Sequence, residues 1–547
     1  LKGEKVVIIG AGIGGLCCAI DLAGAGFAVT VVERAASCGG KMRQIPLPGG
    51  AADAGPTVLT LRWVFEQLFE DAGACFNTAV TLRPLEVLAR HTWPDESRLD
   101  LFADPDRTAE AISAWGGRAE AEGYLAFHKA AKGVYESLKS PFLTAEKTGP
   151  IGLAGRFGWR EAGALLRLRP FDTLWGALGD YFKDPRLRQL FGRYATYCGS
   201  SPFEAPATLM LVAHVEQAGV WRVEGGMVRL AQALEALARA KGVTFRLGAD
   251  ALAIPVETGR PVGVDLAGGE RLEAGAVVVN ADPAALRVGA FGPGAARGLG
   301  QKAPPRSLSA ITWAVEAPAH HADLVHHNVV FSADYRAEFT DIFRRRRPPA
   351  DPTIYVCAQD RGDDALPRTG PERFLVLMNA PPTGDQSPLP PEELSRCESQ
   401  VFETLRRLGL SPPISKDAAI RTTPQDFNRL FPESGGGLYG MATHGWNAAF
   451  QRPGARTRLP GLYLAGGGTH PGAGVPMAAL SGRLAARCLI RDQTSASRSR
   501  PAAMAGGTST RKAKTASSPS SSSPSSAASF PPITPGPDGK ILGTTAP

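Results

Sequence analysis

Val6-Val7-Ile8-Ile9-Gly10-Ala11-Gly12-Ile13-Gly14-Gly15 is the stretch that decides the fold. Four consecutive apolar residues predict a parallel strand buried on both faces. The glycines that follow spell G-x-G-x-x-G, and the next residues predict a helix with Leu16, Ile20 and Ala23 on one face, ending near Gly24–Gly26. A second strand, Val29–Val32, finishes at Glu33, 18 residues after Gly15. Gly10 permits the tight turn, Gly12 lets the backbone approach a pyrophosphate, and Gly15 lets helix and strand pack closely. The helix N-terminus adds unpaired N–H groups and partial positive charge, and Glu33 at the strand end is suited to accept hydrogen bonds from ribose hydroxyls. The fold class expected is α/β, with a Rossmann-type site for an adenine dinucleotide.

Working outward, two later segments repeat the theme of a strand followed by a polar or glycine-bearing turn. Val277-Val278-Val279-Asn280-Ala281-Asp282 is a buried strand ending in polar residues. It is preceded by Gly225-Gly226-Met227, a helix with Leu230, Leu234 and Leu237 on one face, and a strand around Val243–Arg246. Leu462-Tyr463-Leu464-Ala465 is a short apolar strand running into Gly466-Gly467-Gly468-Thr469-His470-Pro471-Gly472-Ala473-Gly474-Val475-Pro476-Met477. Pro476 has no N–H and a preset φ, so it suits the start of a helix over the residues that follow. The two long stretches between these segments carry helical periodicity, prolines and aromatics. One nucleotide-binding domain is expected from residues 1–75, 221–299 and 435–492, with an α+β substrate domain inserted as 76–220 and 300–434.

Composition closes off several alternatives. At 547 residues, 44% hydrophobic and 20% charged, the chain is too long for one core and too apolar for global disorder. Its mean hydropathy of -0.09 and the lack of any apolar run of about 20 residues argue against a spanning helix. Eight scattered cysteines without paired CxxC spacing predict neither a zinc ribbon nor a disulfide framework, and a reducing, cytoplasmic setting. Val6–Ile9 is too short an apolar run for a secretory leader. Of the net charge of +8, the Ser/Pro-rich segment 493–547 carries +5, so residues 1–492 carry only +3 and no global footprint for nucleic acid. That segment is expected to be a disordered tail. The run Arg344–Arg347 is either a solvated loop or a contact for lipid headgroups.

After Glu33 come Arg34, then Gly39-Gly40-Lys41-Met42-Arg43, then Asp53-Ala54-Gly55-Pro56-Thr57. This order resembles the two-dinucleotide-binding-domain flavoproteins, the superfamily of amine oxidases and carotenoid desaturases. The resemblance implies FAD, with Gly10, Gly12, Gly14, Gly15, Glu33, Arg34, Gly40, Lys41, Gly55, Pro56, Thr57, Asp282, Gly466, Gly467, Thr469, Gly474, Val475, Pro476 and Met477 around it. Lys41 stands where the superfamily has Arg, which keeps the charge and loses the planar fork. A helix beginning near Val475 would favour the negative charge of reduced flavin. Gly468–Gly474 resembles the bacterial phytoene-type carotenoid desaturases. Arg193–Met227 and Val475–Gly482 are most similar to the 1-hydroxycarotenoid 3,4-desaturases.

The resemblance implies desaturation of an acyclic C40 carotenoid, at C3–C4 of a 1-hydroxy or 1-methoxy substrate, with hydride passing to flavin N5 and a quinone or oxygen as final acceptor. Phytoene desaturation, carotenoid cis–trans isomerisation, amine oxidation and flavin-free isoprenoid binding are the alternatives. The spacing of ionisable residues reveals no catalytic acid or base and no metal site. His214 and Glu216, sharing a face if on a strand, and His470 in its glycine loop are the weak candidates, each with a structural role as the alternative. A peripheral membrane surface is expected in Ile151–Phe182, where Leu153, Phe157, Trp159, Leu165, Leu166, Leu168, Phe171, Leu174 and Trp175 mix with Arg156, Arg160, Arg167 and Arg169.

Overall fold

Val6 and Ile8 of the first strand are buried against one core cluster, and Val7 and Ile9 against another, so this strand is covered on both faces. The computed structural model describes residues 3–157, 168–318, 323–362, 370–410 and 419–498. Lys5–Ile9 is the centre of a five-stranded parallel sheet in the order Leu462–Leu464, Ala276–Val279, Lys5–Ile9, Ala28–Glu33, Thr244–Leu247. Strands far apart in the chain thus lie side by side and end at the same edge, where open α/β sheets bind ligands.

One face of this sheet is covered by the helix Ile13–Gly24, which packs against both Val228–Ala240 and Val475–Arg498. Leu16 and Ile20 of the first helix and Leu230 and Leu234 of the second are almost fully buried. The final helix continues through Gln493 to Arg498, past the point where the composition turns Ser/Pro-rich. The expected disordered tail from Ser499 onward lies outside the described residues. The other face is covered by an antiparallel sheet of Ala251–Ala253, Gly263–Leu266 and Arg271–Glu273.

A second, seven-stranded sheet has the order Ala419–Thr422, Ser309–Ala317, Glu372–Ala380, Ile354–Ala358, His327–Val330, Val87–Thr92, Arg98–Phe102. Its pairs are antiparallel except His327–Val330 against Val87–Thr92. One face carries Ile311, Trp313, Ile354, Val356, Phe374 and Val376, packed on Leu394, Cys397, Val401 and Leu405 of the helix Pro391–Arg407. The i, i+3, i+4 spacing of those helical residues is what a single buried stripe requires. The other face points toward the parallel sheet and the helical layer that includes Pro105–Gly116 and Arg118–Leu138.

Two expectations change, and a third can be described more closely. His214 and Glu216 lie on a helix, Leu211–Gln217, so two residues apart puts them on opposite sides rather than on a shared face. Within Ile151–Phe182, Leu153, Phe157, Leu168 and Leu174 are buried and Arg169 pairs with Asp172 and Asp180, whereas Ile151 and Phe171 are exposed. Trp159, Arg160, Leu165, Leu166 and Arg167 lie outside the described residues. Arg344–Arg347 is a run of paired side chains: Arg344 with Glu204, Arg345 and Arg347 with Asp341, and Arg346 with Gln386.

Candidate active site

The strand ends and the second sheet enclose a cleft of about 540 Å³. Gly10, Gly12, Gly14, Glu33, Arg34, Gly40, Lys41, Gly55, Pro56, Asp282, Gly466, Gly467, Gly474 and Val475 all line it. The first glycine turn is fixed by contact. Gly10 has φ +101°, and a Cβ on Gly15 would fall 2.1 Å from the Gly10 carbonyl oxygen. A Cβ on Gly14 would meet the Gly466 nitrogen at 2.7 Å, so the first and third glycine segments touch through bare backbone. Gly15 therefore serves packing and does not line the cleft. Glu33 accepts hydrogen bonds from the backbone N–H of Ala11 and of Ala35, each at 2.8 Å, which orients its carboxylate at the cleft wall.

The loop after Glu33 is held equally closely. The Gly39 N–H donates to the Ala11 carbonyl, and a Cβ on Gly40 would lie 3.1 Å from the Gly12 Cα. A Cβ on Gly55 would overlap the Lys41 carbonyl at 1.8 Å. Lys41 extends its ammonium to the Leu438 carbonyl at 2.6 Å and over the Phe431 ring at 5.3 Å. Burial pulls its pKa below the usual lysine range, and Asp282 opposes that shift. Arg34 donates to the Arg429 carbonyl, and Arg43 lies over the Phe427 ring. Asp53, behind this loop, accepts from the Gln44 side chain and the Met227 N–H, which accounts for Gly226: a Cβ there would strike the Asp53 carboxylate.

Besides Gly15, four residues of the expected set do not line the cleft. Thr57 turns away, its hydroxyl 2.7 Å from the Tyr355 hydroxyl. Thr469 is fully buried and holds its own loop, its N–H donating to the Gly466 carbonyl. Pro476 is the second residue of the helix Val475–Arg498 and Met477 follows it, between the lining residues Val475 and Ala478. His470 is buried with its Nε2–H shared between the carbonyls of Phe142 and Ala145, each at 3.0 Å. Burial lowers its pKa to about 4, so it is a neutral anchor for the loop and stands outside the cleft.

Two residues at the site carry no motif. Asn280 follows its strand and donates from Nδ2 to the Gly10 carbonyl at 3.1 Å, bridging the first and second segments. Arg452, 3% exposed, donates to the carbonyls of Tyr439, Gly467 and Met441. Only its place in the fold reveals that it bolts the third glycine segment to the second sheet's loop. Glu216, in turn, accepts from the Tyr197 hydroxyl at 2.9 Å and lies 3.5 Å from an Arg193 nitrogen, in a cluster that does not line the cleft.

These contacts fit FAD. Two helix N-termini, at Ile13 and Val475, meet at the cleft with small residues that leave room for phosphate and ring, and a buried acid stands at the second strand's end. The model for flavin containing amine oxidoreductases matches residues 172–490, and that for an NAD(P)-binding Rossmann-like domain matches residues 8–71. The hydroxyneurosporene desaturase of Rubrivivax gelatinosus is 50% identical, covering 94% of this chain and 98% of its own. That of Cereibacter sphaeroides is 46% identical, covering 90% and 99%. Putrescine oxidase bound to putrescine shares the fold with a TM-score of 0.57 at 14% identity, covering 90% and 99%. The chain belongs to the flavin-containing amine oxidoreductase family, in its carotenoid desaturase branch, and is an FAD-dependent oxidoreductase.

Proposed function

We propose that the protein desaturates the C3–C4 bond of an acyclic C40 carotenoid that carries a hydroxyl or methoxyl group at C1. The observation that carries this reading is the 50% identity, over 98% of its length, to a relative named hydroxyneurosporene desaturase. FAD held by the cleft residues would supply a two-electron acceptor for the hydride lost from one of the two carbons, with a proton leaving the other carbon and a quinone or oxygen as the final electron acceptor. The chain's own contribution is placement and dryness. Leu375, Leu377, Leu438, Val475 and Ala478 give the cleft an apolar wall against which a polyene lies without water. Asp282 is committed to capping the helix Pro283–Val288 through the Ala284 N–H.

A carotenoid is too apolar to cross water freely at about 0.8 kcal/mol per buried carbon unit, so the protein takes it from a lipid surface as a peripheral protein. No described helix is long and apolar enough to cross a membrane. Ile151 (90% exposed), Phe171 (79%) and Trp446 (49%) supply apolar contact, with the rings of Phe171 and Trp446 5.7 Å apart. The test of function offers 1-hydroxyneurosporene and phytoene in liposomes to the flavin-loaded protein with a quinone present. The expected product is red-shifted and two hydrogens lighter, formed from the hydroxylated substrate. Equal or better conversion of phytoene overturns the reading in favour of a general phytoene desaturase, and a product of unchanged mass in favour of an isomerase.

A further inference from the structure

The inward face of the seven-stranded sheet leads from the cleft to a polar row whose far end, His327, is buried. In direct register this face reads Thr312, Leu377, Tyr355, Val329, His91, and beside it Ala314, Leu375, Cys357, His327. Thr312, Leu375 and Leu377 line the cofactor cleft. Tyr355 and Cys357 are therefore one strand beyond the lining, about 4.8 Å on, and His327 one strand further. The Tyr355 hydroxyl lies 2.7 Å from Thr57 Oγ1 and 2.7 Å from His327 Nδ1. Thr57 directly follows Gly55 and Pro56 of the cleft wall. A cavity of about 220 Å³ opens beside Thr57 and Cys357, bounded also by Asp53 and Gln359.

Proton accounting shows what this row lacks. Burial, reinforced by His326 and Arg193, holds the His327 imidazole well below its ordinary pKa, so it is neutral with one ring proton. The thiol of Cys357 is directed at His326 Nε2, 3.7 Å away. Thr57, Tyr355 and His327 then hold three protons for the two hydrogen bonds between them. Whichever way the chain runs, one donor is left over: the Thr57 hydroxyl, the Tyr355 hydroxyl, or His327 Nε2–H, and of these Nε2 is a buried atom with no partner among the described residues. A buried donor without an acceptor is costly and calls for one.

We propose that Thr57, Tyr355 and His327 form the recognition site for the oxygen on C1 of the substrate. This rests on the function proposed above, and it follows from bond lengths. With bonds of about 1.5 Å, an oxygen on C1 lies within about 4–5 Å of C3 and C4. Its partner must therefore adjoin the cofactor cleft, and the first polar groups beyond Leu375 and Leu377 on this face are those of this row. A spare donor serves a hydroxyl and a methoxyl alike, because both oxygens accept. A carotenoid without oxygen at C1 leaves the donor buried and unpaired, which is how such a site rejects a smaller analogue.

The test compares kcat/KM for 1-hydroxyneurosporene with kcat/KM for neurosporene in the flavin-loaded wild type and in Tyr355→Phe, Thr57→Val and His327→Leu. The expected result is that the ratio favours the hydroxylated substrate in the wild type and falls about tenfold or more in Tyr355→Phe and in at least one end variant. Bound flavin per chain reports folding independently of turnover. Tyr355→Phe removes a single oxygen atom, so it decides the matter if His327→Leu fails to fold. A selective wild type whose flavin-loaded variants stay equally selective overturns this inference alone. A wild type without selectivity overturns the proposed function and this inference with it.

Discussion

Gly482 stands so close to Gly14 that a Cβ built on Gly482 would lie 2.0 Å from the Gly14 carbonyl oxygen. The last described helix is thereby pressed onto the turn that begins the first one, and Gly14 in turn presses on Gly466. Gly482→Ala must force these backbones apart at a cost of about 1–3 kcal/mol. The expected outcome is a lower thermal midpoint together with loss of flavin on gel filtration. A variant with wild-type flavin content and midpoint would show that the helices separate freely.

The Glu33 carboxylate holds Ala11 and Ala35 while standing at the cleft wall. Glu33→Ala is expected to weaken FAD binding by roughly 1–3 kcal/mol, a 5- to 150-fold rise in Kd. Titration of apoprotein with FAD, followed by flavin fluorescence, measures it; an unchanged Kd removes Glu33 from the site.

Arg452 satisfies three buried carbonyls at once. Arg452→Met leaves all three without a donor, and a loss of at least about 3 kcal/mol is expected in urea unfolding. Arg452→Lys keeps a cation but not the planar fork, so it should recover only part of that loss. Full recovery with Lys would mean that charge rather than geometry holds the third glycine segment.

His470 predicts acid sensitivity. Its folded pKa is lowered to about 4 by burial, below the ordinary 6.5 of the unfolded chain, so the unfolded state binds the proton first. The contribution is complete above about pH 6.5 and is lost as pH falls toward about 4, by up to about 3 kcal/mol. His91 and His327, also held low by burial, act in the same sense. In His470→Gln the midpoint at neutral pH should drop, and its further fall between neutral and acid pH should be smaller than in the wild type. An identical pH slope in the two proteins refutes the assignment.

Membrane contact is predicted to depend on Phe171 and Trp446. Replacing both by Asp removes two exposed apolar side chains worth about 1.5–3 kcal/mol each when buried, so co-sedimentation with liposomes should fall about tenfold or more. Equal binding by the double variant would place the contact elsewhere.

The parallel sheet was legible in the sequence because its information is local: an apolar run, a glycine where backbones touch, an acid at a strand end. Gly14, Glu33 and Gly466 could be placed on that basis. Asn280 and Arg452 could not, because each bonds backbone atoms of other segments, and a carbonyl acceptor leaves no trace in residue type. The polar row of Thr57, Tyr355 and His327 comes from three strand or loop positions joined only by sheet register. His214 and Glu216 misled because periodicity cannot tell a seven-residue helix from a strand when so few positions are available. Leu153, Phe157, Leu168 and Leu174 misled because a helix face that greets lipid and one that greets a core use the same side chains.

Arg483 of the final helix pairs with Asp21 of the first, 462 residues away, and with Asp71. During synthesis the front half of the cleft emerges from the ribosome long before the strand Leu462–Leu464 and the helix Val475–Arg498 exist to complete it. The nascent chain must wait, with the strand Ala276–Val279 lacking its neighbour Leu462–Leu464, until more than four fifths of the protein has been translated. A chain truncated before Leu462 therefore lacks one end of the cleft, whereas one truncated after Arg498 keeps every residue that lines it.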